Sequence, residues 1–158
     1  MKLKELLKGK VVILGVGNRL RGDDGFGPAL IERLKGKLDA DLFDCGSAPE
    51  NFLGKVIKLS PDIIIVADAA DFGAGAGEIK IFDIDELKNI GFSTHNLSPK
   101  VFAEFLKAQI KAKIYLLACQ PKSTSFGEGL SAEVASAIEQ ICTHLTQIPA
   151  DQTQINAD

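Results

Sequence analysis

The sequence predicts one α/β domain with three α/β/α layers around a mostly parallel twisted sheet. Strand patterns alternate with helix patterns along most of the 158 residues, and parallel strands need such helical crossovers. Some of the strands are apolar on both faces, which is typical of a sheet covered by helices on both sides. In these sheets ligands bind beyond the carboxyl ends of the strands, so the residues just after each strand are the functional candidates.

Five short apolar runs predict the strands. Val11–Gly17 is a near-continuous β-branched run, and Asp62–Asp68 has the strongest pattern because four successive residues in it are branched and apolar. Asp41–Cys45, Glu78–Asp83 and Lys113–Ala118 complete the set.

Four segments with helical periodicity separate these strands. One starts at Pro28 and repeats apolar residues at Leu30, Ile31, Leu34 and Leu38. The others are Pro49–Leu59, Ser98–Ile110 with Ser98 as N-cap and Pro99 at the first helical position, and Glu133–Leu145 capped near Ser131. The composition turns polar after Pro149. We therefore expect a domain over residues 1–147 and a disordered tail over residues 148–158.

Composition excludes several classes of protein. Hydrophobic residues make up 46% and charged residues 25%, as in ordinary globular chains. A net charge of −3 without a basic cluster argues against nucleic acid as a partner. No apolar run approaches the ~18 residues of a membrane span, and the amino terminus lacks a signal-peptide pattern. Cys45, Cys119 and Cys142 form no CxxC motif, which suits a reducing cytoplasm and excludes a cysteine-based zinc site.

The loop after the first strand carries two adjacent acidic residues, Asp23 and Asp24. A dinucleotide motif, GxGxxG, needs glycine at position 20, where this chain has Leu20. The two aspartates also lie where a pyrophosphate would need positive potential. One of them can cap the following helix while the other faces the cleft.

Asp68 and Asp71 follow the third strand. Asp68 follows four branched apolar residues and Ala67, which places it half desolvated at the carboxyl edge of the sheet. Such a carboxylate costs free energy unless it is paired or bound to a metal, so Asp68 is a candidate site residue. A capping or turn role for one of the two aspartates stays an alternative.

His95 and Cys45 are the remaining candidates after predicted strands. His95 lies in a polar loop before a helix, and that loop can return to the same sheet edge; His144 lies on the last helix. Cys45 has no basic neighbour in sequence to activate a thiolate nucleophile. Asp24, Asp68 and His95 would form a three-ligand set for a divalent metal such as Zn²⁺ or Ni²⁺.

Five motifs occur in order: GVGNRLRGDDGFGP, DCGSAPEN, IIIVADAADFGAGAGEIKIFD, STHNLSP and ACQP. Together they resemble the nickel-iron hydrogenase maturation endopeptidases, most closely the type that processes the hydrogenase-3 large subunit of formate hydrogenlyase. The resemblance covers about residues 10–146.

This resemblance implies an endopeptidase, of the aspartic type, that removes a C-terminal extension from the hydrogenase large-subunit precursor once nickel is in place. It assigns the metal contacts, and with them catalysis, to Asp24, Asp68 and His95, with Asp23 and Asp71 as lower-ranked acidic neighbours. It implies that the nickel is recognised in the precursor and that the protease holds no resident catalytic metal. We expect a cytoplasmic monomer without membrane insertion.

Three alternatives stay open from the residues. One is a doubly wound binding module for FMN or a nucleotide, against which stand the acidic edge and the shortage of aromatic residues for stacking (one Tyr, no Trp). Another is a hydrolase that carries its own zinc or manganese. The third is a nickel-carrying chaperone without proteolytic activity.

Overall fold

A computed structural model describes residues 2–87 and 98–146, and it has the predicted α/β class. The strands it describes are β1 (Val11–Val16), β2 (Asp41–Gly46), β3 (Ile63–Ala69), β4 (Ile79–Asp83) and β5 (Lys113–Cys119). The helices are α1 (Phe26–Leu34), α2 (Leu53–Leu59), α3 (Pro99–Lys107) and α4 (Ala132–Thr146). The strands form one sheet in the order β2-β1-β3-β5-β4.

Four neighbouring strands of this sheet are parallel, and β4 runs antiparallel to β5 at one border. The connection between β3 and β4, residues 70–78, contains no helix and is shorter than a parallel crossover requires, so the chain reverses direction there. The four parallel strands end together. We call this border, where β1, β2, β3 and β5 end, the carboxyl edge.

Helices cover both faces of the sheet, which confirms the three predicted layers. Alternate residues of each strand point to opposite faces. On one face α1 and α4 pack on Ile13, Ile65 and Leu117, and on the other face α2 and α3 pack on Leu14 and Val66. Strands β1 and β3 are buried along their whole length, as their unbroken apolar runs predict.

The helix boundaries differ from the predicted ones. Helix α1 begins at Phe26, two residues before Pro28. Its first turn tolerates Pro28, because the N–H group that proline lacks would have no intrahelical partner there. It ends at Leu34, so Leu38 lies beyond it. The predicted helix from Pro49 is a 3-10 turn followed by α2, and α3 ends at Lys107 rather than Ile110.

Ser98 caps α3 as predicted, since its hydroxyl accepts a 3.2 Å hydrogen bond from the Val101 N–H. The predicted tail, residues 148–158, lies outside the described residues, so the 1–147 domain boundary stays a prediction. None of the helices within residues 2–87 and 98–146 has the length and apolar character needed to cross a membrane.

Candidate active site

Close packing of α1 on the sheet brings the loop after β1 to the carboxyl edge. A Cβ atom on Gly27 would overlap the backbone oxygens of Ala67 and Val16. A Cβ atom on Gly17, whose φ is +146°, would overlap the backbone oxygen of Asp24. Only glycine fits such close approaches of backbone to backbone. These two glycines therefore let the segment around Asp24 lie directly on the ends of β1 and β3.

Asp24, the first predicted site residue, lies in the 3-10 turn Gly22–Gly25 between β1 and α1. It is fully buried, and its Oδ2 accepts a 2.8 Å hydrogen bond from the backbone N–H of Asn18. The turn also contacts β3. Because hydrogen bonds to carboxylates are stronger than neutral ones, the Asn18 N–H fixes the direction of the Asp24 side chain.

Asp68, the second predicted site residue, is the penultimate residue of the central strand β3. It pairs in register with Ala118 of β5 and is fully buried. The structure thus brings two buried carboxylates, those of Asp24 and Asp68, to the carboxyl edge. Burial of a carboxylate is costly in the absence of compensating interactions, and such positions concentrate at functional sites.

His95, the third predicted site residue, lies outside the described residues. Within residues 2–87 and 98–146, no group of three or more His, Cys, Asp or Glu side chains is placed to hold a metal ion. The joint geometry of Asp24, Asp68 and His95 therefore stays a prediction.

Asp23 is also buried, with 1% of its surface exposed. Its Oδ2 accepts hydrogen bonds of 2.8 Å from the Lys122 N–H and the Ser131 hydroxyl, and its Oδ1 accepts one of 2.7 Å from the Ser131 N–H. The α1 N-cap is Gly25, and no side chain caps that helix. The alternative in which one aspartate caps the following helix is therefore wrong, because Asp23 instead contacts the start of α4.

Asp71 shapes the turn after β3 and is exposed. Its Oδ1 accepts hydrogen bonds from the Gly73 N–H at 3.0 Å and from Gln120 Nε2 at 3.1 Å, and these bonds lower the pKa of Asp71. The Gln120 Oε1 in turn accepts bonds from the N–H groups of Phe72 and Ala74. No local sequence pattern indicates this role of Gln120, because its partners lie 46 to 49 residues away.

A cavity of about 370 Å³ lies at the ends of β1 and β2, next to Asn18. Arg19 lines it and forms ion pairs with Glu32 at 2.8 Å and Asp44 at 3.3 Å. Burial opposes the charged guanidinium, but the bonds to Glu32 and Asp44 outweigh it and raise the pKa of Arg19. The cavity is therefore polar, with its cation neutralised by two carboxylates.

The chain matches a family model described as hydrogenase maturation protease over residues 28–148. It is 33% identical over 137 residues to the hydrogenase 3 maturation protease of Escherichia coli strain K12, which covers 85% of this chain and 87% of that protein. The chain belongs to the hydrogenase maturation protease family. This confirms the resemblance seen in the five sequence motifs.

Solved structures of relatives have the same fold as this protease. A crystal structure of the [NiFe] hydrogenase maturation protease HycI from Thermococcus kodakarensis KOD1 matches with a TM-score of 0.83 and 34% identity, covering 92% of this chain and 96% of that one. The solution structure of the endopeptidase HycI from Escherichia coli matches with a TM-score of 0.78 and 33% identity, covering 87% and 89%.

Family membership confirms the prediction of a protease over that of a binding module for FMN or a nucleotide. The geometry agrees, because the turn after β1 presents two buried aspartates, Asp23 and Asp24, at the position where a pyrophosphate would need N–H donors and positive potential.

A thiol mechanism does not fit this protease. Cys45 is buried, and burial, with added repulsion from Asp44 and Glu50, raises the pKa of its thiol to about 12. Because the thiolate is the nucleophilic form, Cys45 is inert at neutral pH.

His144 is exposed near the end of α4, at the opposite end of that helix from Asp23 and the carboxyl edge.

Proposed function

We propose that this protease removes a C-terminal extension from the large-subunit precursor of a nickel-iron hydrogenase after nickel insertion. In this proposal Asp24, Asp68 and His95 contact the nickel that the precursor holds. The observation that carries it is the pair of fully buried carboxylates at the carboxyl edge, in a chain that belongs to this protease family.

The chemistry of the proposed ligands supports weak and reversible contact with nickel. Two carboxylates and one imidazole suit a divalent ion of borderline hardness, and three protein ligands leave positions open for water or substrate groups. Oxygen and nitrogen donors compete poorly with thiolates for a soft site. The nickel then stays with the precursor, and the protease needs no resident catalytic metal.

The reaction is hydrolysis of one peptide bond. A water molecule, polarised by the nickel of the precursor or activated by a buried carboxylate, attacks the scissile carbonyl carbon. The C–N bond then breaks, the new carboxyl group keeps the water oxygen, and the amine leaves with a proton. Activation by a carboxylate would make the enzyme an aspartic-type endopeptidase.

The precursor is the proposed macromolecular partner, and the protease acts on it as a cytoplasmic monomer whose domain spans residues 1–147. The three cysteines support a reducing compartment, because all of them are free thiols and all are buried.

The test compares nickel-loaded and nickel-free large-subunit precursor, each incubated with the protease and then weighed by mass spectrometry. We expect loss of the C-terminal extension only from the nickel-loaded form. Efficient cleavage of nickel-free precursor in the presence of a chelator would contradict nickel recognition.

Two controls separate the proposal from its rivals. Metal analysis of protease purified without added metal would reveal the zinc or manganese of a self-sufficient hydrolase. An unchanged precursor mass alongside transfer of nickel would instead indicate a chaperone without proteolytic activity.

A further inference from the structure

The carboxylate of Asp23 joins two segments that are far apart in sequence. It accepts four hydrogen bonds, from the N–H groups of Lys122, Ser123 and Ser131 and from the Ser131 hydroxyl, at 2.7 to 3.4 Å. These partners lie 99 to 108 residues away, between β5 and α4. A carboxylate offers about four lone-pair sites. These four hydrogen bonds therefore occupy the lone-pair sites of the Asp23 carboxylate and leave none for a metal ion.

The backbone reinforces the same junction. The Asp23 N–H donates to the Ser123 carbonyl at 2.8 Å, and the Gly22 N–H donates to the Glu128 carbonyl at 3.1 Å. The Ser131 hydroxyl also accepts a bond from the Val134 N–H in the first turn of α4, where a negative charge is favourable. The turn that carries Asp24 is thus attached to the start of α4.

Asp23 and Asp24 are neighbours in one 3-10 turn but have opposite anchors. A 3-10 helix has three residues per turn, so adjacent side chains point about 120° apart. Asp23 points to the loop before α4, whereas Asp24 accepts its bond from Asn18 at the end of β1. A rotation of the turn that frees Asp23 would also displace the Asp24 carboxylate from Asn18.

We propose that Asp23 is a positioning residue, which holds the Asp24 carboxylate in place by attaching its turn to the loop before α4. This inference rests on the proposed function for the role of Asp24 in cleavage. It assigns to Asp23 no contact with nickel or with the scissile bond.

The test uses Asp23→Asn and Ser131→Ala, with Glu133→Gln as the matched control. Asp23→Asn places an NH₂ group against N–H donors, and Ser131→Ala removes one of the four bonds. Glu133 lies in the first turn of α4, pairs with the Lys122 side chain and is not bonded to Asp23, so Glu133→Gln alters charge at the same helix end and removes none of the four bonds to Asp23.

We expect kcat on nickel-loaded precursor to fall roughly 10- to 100-fold in Asp23→Asn, the usual loss for a partner that orients a ligand. The KM for the precursor should stay unchanged, and Glu133→Gln should match the wild type. Ser131→Thr keeps the hydroxyl and should restore most of the activity lost in Ser131→Ala. The double variant of Asp23→Asn and Ser131→Ala should lose less than the product of the two single losses, because both act through one junction.

Amide hydrogen exchange tests the positioning without any cleavage. In Asp23→Asn, exchange of the Asn18 N–H should accelerate while that of Ile65, in the central strand, stays at the wild-type rate. If Asp23→Asn does not fold, Ser131→Ala gives the same two readouts. Wild-type kcat in the folded variants, or equal acceleration at Asn18 and Ile65, would overturn the inference. Failure of the wild type to cleave nickel-loaded precursor would overturn the proposed function instead, and the Asn18 exchange would still decide the positioning.

Discussion

Asp24 and Asp68 are the two residues in which burial and position most clearly indicate chemistry. Both are fully buried, and both lie at the carboxyl edge, one in the turn before α1 and the other at the end of the central strand. Asp71 differs from them, because it is exposed and its carboxylate is used in a local turn. The three aspartates therefore form a matched set for mutagenesis.

Replacement of the proposed nickel contacts should abolish or sharply slow processing. Mutation of a residue that merely orients a metal ligand typically lowers activity 10- to 100-fold. Asp24→Asn, Asp68→Asn and His95→Ala should therefore each lower the cleavage rate on nickel-loaded precursor at least about 100-fold. Asp71→Asn keeps an oxygen acceptor for its turn and should remain active. Rates are measured by precursor mass well below the melting temperature of each variant. Near-wild-type cleavage by any of the first three would remove that residue from the proposed site.

The buried thiols give a second prediction at this scale. Burial, with smaller contributions from nearby carboxylates, raises the pKa of Cys45 and of Cys119 to about 12, so at pH 8 each has less thiolate in the folded protein than in the unfolded chain, where the pKa is about 8.5. We expect iodoacetamide at pH 8 to leave both unmodified and the protease active. Labelling should become fast in urea. Peptide mass spectrometry measures the labelling of each cysteine. Rapid labelling of Cys45 or Cys119 in the folded protein would contradict their raised pKa values.

A site residue could be predicted from the sequence where its neighbours along the chain fix its position. Asp68 was predictable because it follows an unbroken apolar strand, and that pattern fixes its place at the sheet edge. The hydrogen bonds of Asp23 were not predictable, because its side-chain partners are 99 to 108 residues away and no local pattern indicates them. Gln120 was missed for the same reason.

At the scale of elements, the strands were easier to predict than the ends of the helices. Strands β1 and β3 are buried on both faces, so their apolar runs define them to within one residue of the observed bounds. Pro28 and Pro49 predict helix starts at those residues, but tertiary contacts decide where the helices begin. The close packing of Gly27 on the sheet places the first turn of α1 ahead of Pro28.

The packing of α1 on the sheet predicts opposite effects for two helical glycines. A Cβ on Gly27 would overlap backbone oxygens of β1 and β3, so Gly27→Ala should lower the free energy of unfolding by about 1–3 kcal/mol or more. Gly54 in α2 has open space around it, so Gly54→Ala should raise stability by roughly 0.4–1 kcal/mol. Urea denaturation of both variants measures the difference. If Gly27→Ala leaves the free energy of unfolding unchanged, α1 can move away from the sheet. The cleavage rate of that variant should then be measured as well.

At the scale of the whole molecule, the fold brings Asp24 and Asp68, from separate segments of the chain, to one border of the sheet. Four parallel strands end together, so the turn with Asp24 and the end of β3 meet although they lie more than 40 residues apart in sequence.

The three cysteines are all buried and free. Cys45 and Cys119 have raised thiol pKa values, so the thiolates that would hold nickel firmly are not supplied by these residues.

This arrangement predicts where the nickel goes after cleavage. Oxygen and nitrogen ligands lose nickel to a thiolate site, so the metal should remain with the mature large subunit and the protease should be released without it. The measurement is nickel content by mass spectrometry after the two proteins are separated by gel filtration, with Asp24→Asn as the variant that leaves the precursor uncut. We expect nickel in the large-subunit fraction in both cases. Stoichiometric nickel in the wild-type protease fraction would show that the protease itself retains the metal, which would contradict recognition of nickel held by the substrate.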